Sequence, residues 1–288
     1  RFAKADLVVA NGEGLIADAP PAEYGEARLN IAAAPIWAAA YGPAGVGLVG
    51  LANNHSWDGG AAGVLGNLAA YRAAGVAVYG AAESAEDAEA PYVLKGEGGR
   101  CRVAIVPATL KSNRPARKGA GVAYYPPGQG GLVARVRALR ADGCFVIVSV
   151  HWGREGSHEA SGAVVEAARE LAAAGANVIV GHHPHVLQGV GFIDGAAIAF
   201  SLGNFVFPNR DIEKRRTGIL AVKIAGGAGQ AKLAELALWP AIIDPKGWVP
   251  TPATPTQTQD LLKRMREYSA CFGTRVEARD GRLVFTPR

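Results

Sequence analysis

Six histidines are the residues of this chain best suited to acid–base or metal chemistry, and they are not scattered. His55 stands in one stretch, His151 and His158 in a second, and His182, His183 and His185 in a third, with none further along the chain. Each stretch follows a short apolar run that reads as a strand. In α/β sheets the carboxyl ends of strands are where sites are assembled. A neutral imidazole can ligate a transition metal or carry a proton near pH 7. A histidine taken singly is ordinarily structural; three groups at equivalent strand ends point to chemistry.

The first stretch is Leu51-Ala52-Asn53-Asn54-His55-Ser56-Trp57-Asp58. An Asn amide oxygen is a neutral hard ligand, and the adjacent His can serve as a general acid. An Asn-rich turn capping the next helix fits the same residues. The second is His151-Trp152-Gly153-Arg154-Glu155, directly after the apolar run 146–150. It reads as a metal ligand at a strand end or as a turn whose Trp packs on the core. In the third, Gly181 to Gln188, His183 and His185 stand two apart, so an extended chain would face both side chains one way. That spacing can supply two ligands from one loop. Asn11-Gly12-Glu13 ends the first strand, and Glu13 can offer a carboxylate bridging two ions.

The elements that must position these residues alternate through the first 190 positions. Strands are expected at 6–10, 47–52, 76–79, 144–150 and 178–180, with a hairpin joining 92–95 to 102–107. Helices are expected at 61–74, stopped by Gly75, and at 132–141 and 162–174. Thereafter 186–192, 197–205, 218–224 and 232–243 read as successive strands. A βα half followed by a β-rich half indicates an α/β fold with two sheets. Residues 250–259 (PTPATPTQTQ) read as a linker into a terminal helix over 260–270. The expected organisation is one domain over 1–249, with 250–288 packing on it as linker, helix and short hairpin.

Composition narrows the function classes. With 288 residues, 49% hydrophobic and 19% charged, the chain can bury a large core. Its longest uncharged apolar runs are well short of the roughly 20 residues that span a bilayer. The formal net charge is +5, and no nucleic-acid motif accompanies it. Lys111, Arg114, Arg117 and Lys118 form one basic cluster; Arg210, Lys214, Arg215 and Arg216 form another. Either can attract an anionic substrate, or be a solvated loop. Cys101, Cys144 and Cys271 are odd in number and widely spaced, so neither a disulfide framework nor a metal knuckle is expected. A reducing compartment is permitted by that count but not required. A cytoplasmic location is slightly favoured, and an extracytoplasmic one stays open because the start of the chain is expected to be missing. Residue 1 is Arg and runs at once toward a strand, so a preceding segment is expected.

Taken together, the motifs resemble the CapA (poly-γ-glutamate capsule synthesis) family. Its patterns N-L-E, A-N-N-H-x-x-D-x-G, H-W-G-x-E, G-x-H-P-H-V-x-Q and S-L-G-N-F are matched in order. The matches are Asn11 to Glu13, Ala52 to Gly60, His151 to Glu155, Gly181 to Gln188, and Ser201 to Phe205. That family is similar to calcineurin-like metallophosphatases, which implies a two-sheet αββα sandwich holding two divalent ions, manganese, zinc or iron. Carried over by position, the resemblance implies Glu13 as bridging carboxylate and Asn54, His151 and His183 as ligands. His185 would ligate the second ion, and His55, with Asp58, would protonate a leaving group. Asn11, Asn53, Trp152, Glu155, Ser201 and Asn204 are the residues expected to contact substrate. Two departures stand out. Gly12 replaces the family's Leu, which is expected to loosen that turn. The family's earlier Asp motif would lie before residue 1, leaving the ion on His185 without an anionic ligand.

The resemblance implies a metal-dependent phosphoester hydrolase tied to an anionic polymer such as poly-γ-glutamate, with synthase-complex partners. Two alternatives use the same residues. One is a metal-free acid–base enzyme, an epimerase or amide transferase acting on a peptide. The other is a non-catalytic scaffold.

Overall fold

The computed structural model describes residues 4–16, 32–113, 120–126 and 130–288. In chain order it begins β1 (Val9–Asn11), β2 (Leu15–Ile16), β3 (Ala32–Ala33), α1 (Ile36–Tyr41), β4 (Leu48–Gly50) and α2 (Gly60–Ala73). Then come β5 (Ala77–Tyr79), β6 (Ala81–Ala82), α3 (Ala85–Ala88), β7 (Tyr92–Lys95), β8 (Cys101–Thr109) and β9 (Gly121–Val122). Next are α4 (Gly131–Ala141), β10 (Phe145–His151), α5 (Gly162–Ala173), β11 (Val178–His182), β12 (Val190–Ile193) and β13 (Ala196–Ala199). The chain closes with α6 (Ile212–Arg215), β14 (Arg216–Ala225), β15 (Lys232–Ile243), β16 (Pro250–Pro252), α7 (Pro255–Ser269), β17 (Thr274–Arg279) and β18 (Arg282–Pro287). The class is the mixed α/β one that the alternation of apolar runs implies.

Two compact units divide the chain. The first comprises Arg1–Tyr92, Ile105–Gln129 and Ser149–His151; the second comprises Val93–Ala104, Gly130–Val148 and Trp152–Arg288.

In the first unit β1, β4 and β5 form a parallel sheet in that order, with Asn11 beside Gly50 and Gly50 beside Tyr79. Three strand ends therefore stand level, and the segments leaving them start from one edge. Val49 and Leu51 are fully buried with Val64, Leu68 and Tyr71 of α2, and Trp57 joins the same core. Each such side chain contributes about 1.5–3 kcal/mol on burial. Gly75, at φ +69°, turns the chain out of α2 where a side chain would be strained.

The second unit contains the sheet order β12-β13-β11-β10-β8-β7, in which β8 and β10 end in residues counted with the first unit. β11 and β13 are parallel, β12 and β13 antiparallel. Helix α5 buries Val164, Ala168, Leu171 and Ala172 at helical spacing. A second sheet runs β14-β15-β18-β17, with β16 also on β15, and is antiparallel throughout.

Three expectations are corrected. The stretch read as a linker holds β16 and most of the first turns of α7. Thr254 caps the helix, accepting from Gln257 N at 3.3 Å, while Gln257 Oε1 accepts from Thr254 N at 2.8 Å, and Pro255 follows the cap. Such a box satisfies two end amides of the helix at once. Next, Cys101 and Cys144 are joined by a disulfide, their Cα atoms 5.2 Å apart, while Cys271 is an exposed thiol. Finally, the strand expected from 186 begins at Val190, because His183 to Val186 turn rather than extend. Among the described residues no helix is long and apolar enough to cross a membrane.

Candidate functional site

In the first unit, Glu13, Asn54, His55, Asp58 and His151 are gathered at the strand ends. Gly12 donates its N–H to Gly50 O at 2.9 Å, which draws the turn after β1 against β4. A Cβ at Gly12 would lie 2.5 Å from Val49 Cγ1, 3.0 Å from the Tyr71 hydroxyl and 3.2 Å from Leu51 Cδ2. The turn is thus closely packed, not loosened as the missing Leu suggested.

Asn53 locks the next loop to that turn. Its Nδ2 donates to Gly12 O at 3.0 Å and to Asn11 Oδ1 at 3.4 Å, and its Oδ1 accepts from His55 N and the Ser56 hydroxyl. Asn11 Nδ2 in turn donates to Glu13 Oε2 at 3.3 Å. The polar atoms of buried Asn53 are engaged within the protein.

Asn54 Oδ1 lies 2.7 Å from His151 Nε2, and His151 Nε2 lies 3.7 Å from Glu13 Oε1. His151, only 1% exposed, ends β10, and its carbonyl accepts from Leu110 N at 2.9 Å, which fixes where the ring begins. An amide oxygen and a ring nitrogen at 2.7 Å need either a hydrogen on Nε2, which the neutral imidazole can carry, or a cation that both atoms ligate. Donors about 2 Å from one ion stand roughly 3 Å apart. The carboxylate, amide and imidazole therefore fit a divalent ion in both chemistry and spacing.

Beside this group His55 Nδ1 meets Asp58 Oδ2 at 2.6 Å, both residues buried. A carboxylate at Nδ1 fixes the tautomer with hydrogen on that nitrogen and aims Nε2 outward along the ring axis.

In the second unit, β11 ends at His182. A Cβ at Gly181 would be 1.9 Å from Phe200 O, so only glycine fits there. Two non-glycine residues then take left-handed backbone, His183 at φ +97° and His185 at φ +59°. Such geometry costs of order 1–3 kcal/mol per residue and persists where the surroundings dictate it. It places the two rings 6.1 Å apart by centroid; the proximity comes from a turn and not from extended chain. His185 Nδ1 donates to Asn204 Oδ1 at 2.7 Å, and Asn204 Nδ2 donates to Lys214 O at 3.0 Å. Because Asn204 spends its amide hydrogen on a carbonyl, its oxygen must face the imidazole. Phe207 packs against His185 with ring centroids 5.2 Å apart. Surrounding protein strips water from His182 and lowers its pKa to about 4, so that ring is neutral at pH 7.

Other residues fall into supporting places. Trp152 is 1% exposed, donates its indole N–H to Phe200 O at 3.0 Å and stacks on Phe200. Ser201 is buried and its hydroxyl accepts from Gly203 N, whereas Glu155 is exposed. His158 Nδ1 donates to Leu187 O at 2.9 Å, and the ring approaches Glu213 at 3.4 Å and stacks on Tyr268. In the second basic cluster Arg216 pairs with Glu213 and Asp260, and Arg215 donates to Ile243 O. Those two guanidinium groups serve the fold. Arg114, Arg117 and Lys118 of the first cluster lie outside the described residues.

One residue of the first unit was not legible from motifs. Asn113 follows β8 and joins the loop of Asn54 to Asp58, accepting from Asn54 Nδ2 at 3.2 Å and donating to Asp58 Oδ1 at 3.3 Å. Its position just past a strand end was the one available signal.

Residues 1–209 match the model of a family described as bacterial capsule synthesis protein PGA_cap. The chain is 27% identical over 242 residues to the PGA biosynthesis protein CapA of Bacillus subtilis (strain 168), covering 81% of this chain and 60% of that protein. It is 32% identical over 173 residues to the capsule biosynthesis protein CapA of Bacillus anthracis, covering 57% of this chain and 41% of that protein. The chain thus spans 60% or less of the length of these relatives.

Proposed function

The chain belongs to the PGA_cap family of bacterial capsule synthesis proteins, and from that premise we propose that it is a metal-dependent phosphoesterase-like hydrolase serving synthesis of an anionic polymer such as poly-γ-glutamate. The observation that supports this reading most is the contact of Asn54 Oδ1 with His151 Nε2 at 2.7 Å beside the Glu13 carboxylate, with an imidazole–carboxylate pair alongside. Glu13, Asn54 and His151 would hold one divalent ion. By resemblance to the family's motifs, His183 and His185 would also serve as metal ligands.

A bound divalent ion supplies Lewis acidity toward a phosphoryl oxygen and makes hydroxide accessible near neutral pH. The protein's own groups do the rest. His55 holds a proton on Nε2 for the departing oxygen, and Asp58 keeps the ring oriented and offsets the charge of the imidazolium. Asn53 and Asn11 keep the two loops in register, so the Glu13 carboxylate and the Asn54 amide keep a fixed separation. Asn204 sets His185 with hydrogen on Nδ1, which leaves Nε2 as the atom suited to ligation. Trp152 and Ser201 act in this reading as packing and turn-forming residues around those loops.

The test is turnover of a generic phosphodiester by the purified protein, with and without chelator, in deuterated buffer beside a poly-glutamate substrate. Metal-dependent phosphodiester cleavage is expected. Chelator-insensitive incorporation of deuterium at Cα of the peptide would overturn the reading in favour of a metal-free isomerase.

A further inference from the structure

Asn113 stands between the two roles read for the loop from Asn54 to Asp58, metal ligation and proton donation. Its Oδ1 accepts from Asn54 Nδ2, its Nδ2 donates to Asp58 Oδ1, and its backbone N–H reaches Asn54 O at 3.4 Å. Nδ2 also lies 3.3 Å from His55 Nδ1, but a ring nitrogen that donates to Asp58 at 2.6 Å cannot accept there. The bond that counts is therefore the one to Asp58.

An amide has two ends, and each is committed by chemistry. Asn54 can present its oxygen toward His151 and Glu13 only if its NH₂ has an acceptor on the other side; Asn113 Oδ1 is that acceptor. Reversing the Asn54 amide would set its oxygen against Asn113 Oδ1 and turn its NH₂ toward His151 Nε2. Asp58 has two oxygens: Oδ2 takes the imidazole hydrogen and Oδ1 takes Asn113 Nδ2. One carboxamide thereby fixes both the ligand atom of Asn54 and the carboxylate that orients His55.

We propose that Asn113 is a positioning residue that sets the Asn54 amide oxygen toward the ion site and holds the Asp58–His55 pair at a fixed place beside it. The proposal rests on the hydrolase reading for its role in turnover, though not for its effect on Asn54. It predicts that the two ends of Asn113 can be separated. Asn113→Ala removes both bonds. Asn113→Asp keeps an acceptor for Asn54 Nδ2 but faces Asp58 with a second carboxylate.

Zn²⁺ titrated calorimetrically into the metal-free protein measures the first end. Partners of ligating side chains change metal affinity by about 10–100-fold. Asn113→Ala is expected to weaken Zn²⁺ by that factor, and Asn113→Asp to restore it, with both variants melting as cooperatively as wild type. Phosphodiester turnover measures the second end, where both variants should lose kcat with KM little changed. Equal Zn²⁺ affinity in wild type and Asn113→Ala overturns the proposal. If the wild type cleaves no phosphodiester, the hydrolase reading fails while the affinity comparison still decides the Asn54 assignment. If the wild type binds no Zn²⁺, a crystal structure of Asn113→Ala decides it. An Asn54 amide turned away from His151 supports the assignment, and an unchanged contact at 2.7 Å refutes it.

Discussion

The loop that carries Asn54 and His55 and the turn that carries His183 and His185 hold their imidazoles by opposite means. From Asn53 to Asp58 no residue has a positive φ. Order there comes from side chains, with Asn53, Ser56, Asp58 and Asn113 each tied to a partner. From Gly181 to His185 the backbone itself is forced: glycine packed under Phe200 O, then two left-handed histidines and one amide partner for His185. A polar web gives way one bond at a time, about 0.5–1.5 kcal/mol each. A strained turn holds its energy in the backbone, and that energy is released when the side chain that caused the strain is removed. The two should therefore respond differently to loss of a histidine.

The largest effect tests that difference directly. His183→Gly should abolish metal-dependent turnover if, as proposed, His183 is a ligand. Its melting temperature should nevertheless hold or rise. Relief at φ +97° is worth about 1–3 kcal/mol, against about 0.5–1 kcal/mol for the added freedom of glycine in the unfolded chain. A clear fall in melting temperature would break the strain account of this turn. His55→Ala, in the web, offers no such relief. It should keep the metal, measured by elemental analysis, and slow turnover by about 10²–10⁴-fold if His55 is the general acid. Loss of metal from that variant would make His55 a ligand instead of a proton donor. Smaller again, Asn204→Ala should weaken metal affinity by about 10–100-fold, since it frees His185 to rotate about its ring axis. Unchanged affinity would mean that the left-handed backbone alone aims the ring.

What the sequence disclosed follows the same division. Helix α2 was legible because apolar spacing and Gly75 act locally, and the Asn–Asn–His and His–Pro–His segments because their residue types are unusual together. The backbone of the His183–His185 turn was not, since residues two apart face one way only if extended, and nothing local announces a positive φ outside glycine. Asn113 carries no motif; its importance arises from a loop more than fifty residues earlier that packs against it. The bond between Cys101 and Cys144 is equally non-local, joining the start of β8 to the residue before β10 across 43 positions. The start of helix α7 is the exception: the helix was expected from 260, but its first turn from Pro255 was missed although its signal was local. Thr254-Pro255-Thr256-Gln257 is a capping box with proline after the cap, hidden by the low-complexity look of the segment.

Gly12 gives the smallest effect and the cleanest check on how the first-unit loops are seated. The family motif has Leu at this place, so a side chain there reads as tolerable and glycine as a loosening. The packing indicates the reverse: Val49 Cγ1 occupies the space, 2.5 Å from where a Cβ would stand, with Tyr71 and Leu51 behind it. Val49 is fully buried in the middle of β4 and cannot swing away without disturbing the core. Gly12→Ala should therefore destabilise by about 1–3 kcal/mol, the usual cost of overpacking. Thermal melting with metal-free protein measures it apart from any ligand. The double variant Gly12→Ala with Val49→Ala should lose less than the sum of the two singles, because the shortened side chain opens the space the new methyl needs. Strict additivity would show that the two side chains do not compete. A neutral Gly12→Ala would return the turn to the looser state that the missing Leu suggested, and the fixed separation of Glu13 and Asn54 would need another source.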